Sequence, residues 1–135
     1  MKYKILIVSA NYYTDISNNL LRDAKAALKS KAKYQTINVP GVFEIPVIIA
    51  KNIKKYHGFI ALGCVIKGET PHFDFISKTT INAIMNLSII HKKPIGNGIL
   101  TCLNKRQAND RSDSINKVGK GTEAAKATLS ILNNF

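Results

Sequence analysis

The stretch GFIALGCVIKGETPHFD, residues 58–74, joins an almost wholly apolar run to a polar, turn-forming segment that contains a histidine. A continuous apolar run of this length is typical of a strand buried on both faces of a sheet. The polar part begins at Gly68 and ends with His72, Phe73 and Asp74. In proteins that alternate strands with helices, ligands bind just beyond the carboxyl ends of the strands. Residues 68–74 are therefore a candidate functional segment.

Apolar runs of strand length alternate with segments of helical periodicity along the rest of the chain. The pattern predicts strands at 4–10, 35–40, 58–66 and 94–101, and helices at 16–30, 43–56, 73–93, 104–112 and 119–132. Strands separated by helices of crossover length form a parallel sheet with right-handed connections. We expect one domain over residues 1–135, a flavodoxin-like three-layer α/β/α sandwich in which helices cover both faces of a four-stranded parallel sheet.

The chain is strongly basic, with 20 lysines and arginines against 8 acidic residues and a net charge of +12. This charge keeps an RNA- or DNA-binding protein open as a rival hypothesis. The lysines are scattered over predicted helix ends and loops, however, where solvation and the helix dipole favour them. The sequence also lacks a basic helix and an aromatic RNA-binding motif. We therefore expect no specific nucleic-acid partner.

Two cysteines, Cys64 and Cys102, lie in apolar strand-like runs without a CxxC motif or a nearby histidine. This placement is typical of reduced thiols in the core of a cytosolic protein. The apolar part of MKYKILIVSA is too short for a signal peptide, and no run approaches the length of a membrane span. We expect a soluble, cytoplasmic protein with no membrane partner. No cluster of ligand side chains has metal-binding spacing, so we also expect no metal.

Candidate side chains follow three of the predicted strands. After the first, Tyr12 and Tyr13 could stack on a flat ring, although packing over a helix end is the alternative. After the third, the backbone N–H groups around Glu69 and Thr70 form a candidate anion site, and His72 is a candidate proton shuttle. A surface or capping position is the alternative for the histidine. After the fourth, Arg111 carries a guanidinium suited to phosphate, with simple surface exposure as its alternative.

Five segments of the chain resemble the 6,7-dimethyl-8-ribityllumazine synthase family in order and spacing: VPGVFEIP (39–46), ALGCVIKGETPHFD (61–74), GILT (98–101), RQANDR (106–111) and GKGTEAA (119–125). Together they extend over nearly the whole chain. The resemblance implies the penultimate step of riboflavin biosynthesis, a transferase reaction. The family condenses 5-amino-6-(D-ribitylamino)uracil with 3,4-dihydroxy-2-butanone 4-phosphate, releasing phosphate and water, and uses no metal or organic cofactor.

The resemblance implies roles on the pyrimidine side of the site. Tyr12 would stack on the ring. Backbone and carboxylate groups of Val42, Phe43 and Glu44 would hold the ribityl and pyrimidine groups. The end of the third strand would contribute main-chain contacts from Cys64, Val65 and Ile66. Two positions depart from the family pattern: Lys67 stands where many members have arginine, and Asn97 where an aromatic residue is common. One wall of the ring pocket would then be polar.

On the phosphate side, the resemblance implies that Glu69 and Thr70 contact the butanone phosphate and that His72 shuttles protons. Arg111 would bind the phosphate, with Lys120 nearby. A flavodoxin-like module that binds a flavin or another flat ligand without turnover is the main rival. It has no need to combine a histidine at a phosphate cradle with a distant arginine.

Family members form pentamers in which neighbouring subunits share each active site, and some pentamers assemble further into icosahedral shells. We expect a simple homopentamer here for two reasons. The first predicted strand begins within a few residues of Met1, without the extension found in many shell-forming members. The connection SDSINKVGK, residues 112–120, is also about one residue longer than in those members.

Overall fold

The computed structural model describes residues 2–113 and 118–135, and this part of the chain contains one four-stranded sheet. The strands are β1 (Lys4–Ala10), β2 (Lys33–Val39), β3 (Gly58–Ile66) and β4 (Ile95–Cys102). The helices are α1 (Thr14–Leu28), α2 (Ile45–Lys51), α3 (His72–His91), α4 (Lys105–Ser112) and α5 (Lys120–Asn134), and a 3-10 turn at Val42–Glu44 precedes α2. Residues 114–117 lie outside the described residues. They belong to the connection at 112–120, which the sequence predicts to be about one residue longer than in shell-forming members of the family.

The sheet has the strand order β2-β1-β3-β4, and every neighbouring pair is parallel. The predicted fold class is therefore confirmed. Because the strands are parallel, all four carboxyl ends lie at the same edge of the sheet, and the segments that follow β1, β2, β3 and β4 begin there. These are the segments in which the sequence indicates candidate site residues.

Helices cover both faces of the sheet, and alternate strand residues pack into two apolar clusters. On one face, Ile5, Ile7 and Ile60 pack with residues of α1 and α5. On the other, Leu6, Val8 and Phe59 pack with residues of α2 and α3. Burying one such side chain stabilises the fold by about 1.5–3 kcal/mol. This two-sided burial is what the uninterrupted apolar runs of β1 and β3 indicate.

The second helix is shorter than its apolar pattern predicts. The sequence favours a helix over 43–56, whereas the chain forms a 3-10 turn and then α2, which ends at Lys51. Beyond it, the Lys93 ammonium donates hydrogen bonds to the carbonyl oxygens of Ile53 and Tyr56. These carbonyls are therefore satisfied without a continued helix. None of the described helices is long and apolar enough to cross a membrane.

Candidate active site

A cavity of about 560 Å³ lies at the carboxyl edge of the sheet. Eight of the residues singled out in the sequence line it: Tyr12, Val42, Phe43, Glu44, Cys64, Val65, Ile66 and His72. They come from the segments that follow β1 and β2, from the end of β3 and from the start of α3. The parallel sheet thus brings together residues separated by up to 60 positions in the chain.

The 3-10 turn forms one wall of this cavity because Gly63 lets it approach β3. A Cβ atom at Gly63 would lie 2.5 Å from Cγ1 of Val42, too close for any side chain. The turn is closed by a 3.2 Å hydrogen bond in which the Glu44 N–H donates to the carbonyl oxygen of Gly41. The ring of Phe43 is exposed, and the Glu44 carboxylate lies on the cavity wall.

Two tyrosines form an aromatic part of the cavity rim. Tyr12 is 73% exposed, and its ring centroid lies 4.9 Å from that of Tyr13 in an edge-to-face arrangement with an interplanar angle of 66°. An exposed ring held in this way is available to stack on a flat ligand. Tyr13, the other aromatic residue that the sequence places in this loop, also lines the cavity, although the family resemblance implies a role for Tyr12 alone. Burial, together with nearby Cys64 and Tyr12, raises the pKa of the Tyr13 hydroxyl.

His72 is the first residue of α3, so the prediction that it just precedes the helix was wrong by one position. Its backbone N–H donates to Oγ1 of Thr70 at 3.3 Å, and its side chain is exposed at the cavity. Glu69 and Thr70 are also exposed, in the segment between β3 and α3. The imidazole is therefore accessible both to the cavity and to solvent, as a proton shuttle requires.

Cys64 contributes to the wall of this cavity, and its thiol is poorly suited to act as a nucleophile. Burial, followed by the neighbouring Cys102 thiol, raises the pKa of the Cys64 thiol to about 12. Such a group stays protonated at neutral pH, and the thiolate is the reactive form. Both cysteines are free and buried, as the sequence predicts. Among the described residues, no three histidine, cysteine or acidic side chains are grouped as metal ligands.

Two other predicted residues lie at a second cavity. Arg111 and Lys120 line a volume of about 390 Å³ beside residues 99–101 of β4. The Lys120 ammonium lies 3.9 Å from Oε2 of Glu123, and Nη1 of Arg111 lies 3.9 Å from Sγ of Cys102. Gly121 positions the start of α5, since a Cβ atom there would lie 2.2 Å from the carbonyl oxygen of Leu20 in α1. This cavity is basic and suited to an anion.

Asn97 lies at a third location, a cavity of about 80 Å³ between α3 and β4 that Met85 also lines. Its Oδ1 atom accepts a hydrogen bond from the backbone N–H of Ile99 at 3.0 Å. The structure of one chain therefore brings eight of the thirteen predicted residues together in one cavity. Glu69 and Thr70 lie outside its lining, in the exposed segment before α3, and three residues lie elsewhere: Asn97, Arg111 and Lys120.

Comparison with known proteins identifies the family of this chain. The sequence model of the 6,7-dimethyl-8-ribityllumazine synthase family matches residues 2–135. The chain belongs to this family. It is 44% identical over 140 residues to the 6,7-dimethyl-8-ribityllumazine synthase of Bartonella tribocorum, an alignment that covers 99% of this chain and 93% of that protein.

Two further lumazine synthases show a similar likeness. The protein so named from Agrobacterium fabrum is 44% identical over 139 residues, covering 97% of this chain and 93% of that protein. The one from Methylocella silvestris is 42% identical over 134 residues, covering 93% and 81%. The lumazine synthase resemblance inferred from the five motifs is therefore confirmed.

Proposed function

We propose that this chain condenses 5-amino-6-(D-ribitylamino)uracil with 3,4-dihydroxy-2-butanone 4-phosphate to give 6,7-dimethyl-8-ribityllumazine, phosphate and water. This reaction is the penultimate step of riboflavin biosynthesis. One observation carries the proposal: in a chain of the lumazine synthase family, an exposed aromatic ring, a carboxylate and a histidine line one cavity at the carboxyl edge of the sheet. The cavity of about 560 Å³ is of the size that small-molecule sites have.

The pyrimidine and its ribityl chain would occupy the part of the cavity nearest the 3-10 turn. There the exposed ring of Tyr12 would stack on the pyrimidine, and Glu44 would accept hydrogen bonds from ribityl hydroxyls or ring N–H groups. Backbone groups of Val42 and Phe43, and of residues 64–66, would fix the orientation of the ring. Polar groups placed in this way on an otherwise apolar wall give a small-molecule site its specificity.

His72 would move protons during the condensation. An amine of the pyrimidine attacks the ketone and loses one water to form an imine, phosphate then leaves by elimination, and the ring closes with loss of a second water. Each step transfers a proton, and an imidazole open to both cavity and solvent can accept or release one. Glu69 and Thr70 lie in the same exposed segment, where they would contact the butanone phosphate. Holding the two substrates together supplies a further part of the acceleration.

The remaining groups would come from a neighbouring subunit of a homopentamer. Arg111, Lys120 and Asn97 line other surfaces of the same chain, so a neighbour's copies of these residues would complete each site. The exposed apolar residues of α3, among them Phe75 and Met85, give a second chain a surface to cover. Five chains of 14.9 kDa would give a ring of roughly 75 kDa.

The activity is tested by mixing the purified protein with both substrates and following the absorbance and fluorescence of the lumazine. A rate well above the uncatalysed background is expected, and heat-denatured protein serves as the control. A protein that binds the pyrimidine but gives only the background rate would instead be a flat-ligand binding module. That result would refute the proposed enzyme.

Sharing of the site is tested by complementation between two impaired variants. Arg111→Ala removes the phosphate contact, at a cost of about 1.5–3 kcal/mol if a charged hydrogen bond is lost. His72→Ala removes the proton shuttle on the other side of the proposed site. When the two variants are unfolded and refolded together in equal amounts, random assembly gives about a quarter of the sites both intact residues. No recovery in mixed rings of pentamer mass would refute sharing.

We also propose that residues 1–135 act as one domain in a reducing, cytosolic compartment. The free state of the buried Cys64 and Cys102 thiols supports this location. Fractionation of cells that express a tagged chain tests this location, and recovery outside the cytosol would contradict it.

The basic charge of the chain carries no separate function in this proposal, and any association with nucleic acid is expected to be weak and sensitive to salt.

A further inference from the structure

A lysine of α4 lies against the aromatic rim of the cavity. The ammonium of Lys105 is 5.7 Å from the ring centroid of Tyr13 and 3.5 Å from Oδ2 of Asp15. Lys105 is the first residue of α4 and Asp15 the second residue of α1, so the contact joins two helices at the edge where the site lies. An ammonium within about 6 Å of a ring centroid is attracted by the ring face.

The ring that Lys105 contacts is itself part of the cavity wall. Tyr13 lines the cavity with Cys64 and His72, and it holds the ring of Tyr12 edge to face at 4.9 Å. Tyr12 is mostly exposed, so its orientation depends on few protein contacts besides this one. A change in the position of Tyr13 would therefore reach the ring that is to stack on the pyrimidine.

The charges of this cluster also act at the cavity wall. The Lys105 ammonium lowers the pKa of the Cys64 thiol and the Asp15 carboxylate raises it, although burial and Cys102 dominate. Lys105 and Asp15 are both about half exposed, which screens their attraction for each other. Contact with the ring of Tyr13 gives the pair a defined position that an isolated surface ion pair lacks.

We propose that Lys105 is a positioning residue for the pyrimidine substrate. Its ammonium, held by Asp15, fixes the ring of Tyr13, and Tyr13 in turn orients Tyr12 for stacking. This inference rests on the proposed function and adds to it a residue that touches neither substrate. The competing role, direct contact between the Lys105 ammonium and the butanone phosphate, predicts a different kinetic effect.

The test replaces Lys105 with methionine, which keeps the length of the side chain and removes its charge. We expect the KM for the pyrimidine to rise roughly two- to fivefold, the size of an exposed cation–ring contact. The kcat at saturation and the KM for the butanone phosphate should stay at their wild-type values. Lys105→Arg should retain the wild-type KM, since a guanidinium also binds a ring face and a carboxylate.

Three matched variants separate positioning from a general effect of charge. Arg106→Met removes a positive charge from the next residue of α4, which is exposed and makes no ring contact or ion pair within residues 2–113 and 118–135. This change should leave the pyrimidine KM at its wild-type value. In a Tyr13→Phe background, which keeps the ring, Lys105→Met should raise that KM by the same factor as in the wild-type chain. In a Tyr13→Leu background, Lys105→Met should have no further effect, because the ring through which it acts is gone.

Calorimetric titration of each variant with the pyrimidine alone measures the same effect without turnover. A dissociation constant that rises in Lys105→Met and not in Arg106→Met supports positioning. An unchanged pyrimidine constant, or a rise confined to the butanone phosphate, overturns it. Wild-type protein that binds the pyrimidine without turnover refutes the proposed enzyme and leaves the binding comparison decisive for Lys105.

Discussion

Helices α1 and α3 pack against opposite faces of the same sheet but bury very different shares of their residues. Six of the fifteen residues of α1 are buried, and its apolar positions face the core. Only Thr80 and Ile84 are buried among the twenty residues of α3, while Phe75, Met85, Ile89 and Ile90 are exposed. The first helix therefore uses its apolar surface within the chain. The second carries His72 at its start and leaves apolar surface for contacts outside the chain.

Introducing a charge on the exposed apolar surface of α3 should have the largest effect. Met85 lines the small cavity beside Asn97, so Met85→Asp would bury an unpaired carboxylate at the proposed subunit contact. We expect the particle mass to fall from roughly 75 kDa toward that of one chain, with loss of activity. Light scattering measures the mass. Ile131→Asp, on an exposed position of α5 across the sheet, is the control and should keep the ring.

The first residue of α3 should affect turnover and not stability. His72→Ala removes an acid–base group whose usual contribution is a factor of about 10²–10⁴ in rate. Some activity should remain because the substrates are still held together. The free energy of unfolding should be unchanged, since the side chain is exposed. Wild-type turnover in this variant would remove His72 from the mechanism.

A core residue of α1 should give the opposite result. Leu20 is fully buried between α1 and the sheet, so Leu20→Ala should lower the free energy of unfolding by about 2–5 kcal/mol. Urea unfolding measures this loss, and the folded fraction should turn over at a normal rate. Ile89→Ala on α3 is the matched truncation at an exposed position. In a chain outside the proposed ring, it should lower the free energy of unfolding by under about 0.5 kcal/mol. Equal losses at the two positions would contradict the contrast between the helices.

A smaller change in stability than that of Leu20→Ala, and of opposite sign, is expected at one of the two buried residues of α3. The hydroxyl of Thr80 is buried and has no hydrogen-bond partner in the described part of the chain. Replacing it with the isosteric valine removes an unsatisfied group, so Thr80→Val should stabilise the chain by about 1 kcal/mol. A shift of the urea midpoint measures this gain. A loss of stability would mean that the hydroxyl has a partner.

Continuous apolar runs made the central strands predictable to the residue. The sequence predicts 58–66 and 4–10, and the strands are Gly58–Ile66 and Lys4–Ala10, because polar residues, which are costly to bury, bound each apolar run. The second helix was not predictable in length. Lys93, far along the chain, satisfies carbonyl groups beyond α2, and local propensity contains no sign of that contact.

The sequence predicts candidate site residues but does not show which of them are neighbours in the folded chain. Motifs identify Arg111 as readily as His72, yet only a folded chain distinguishes which cavity each one lines. Tyr13 illustrates the same limit at short range. It follows Tyr12 directly, and the sequence alone does not show that the two adjacent rings pack edge to face or that Lys105 of α4 lies against Tyr13.

The hydrogen bond from Ile99 to Asn97 has a consequence for solubility. Strand β4 lies at one edge of the sheet, where unpaired N–H groups can recruit a strand from another molecule and begin aggregation. Here the Asn97 side chain accepts the N–H of Ile99, so one point of this edge is satisfied within the chain. The asparagine gives up the stacking surface that an aromatic ring would offer and in exchange makes the edge a poorer template for fibre growth.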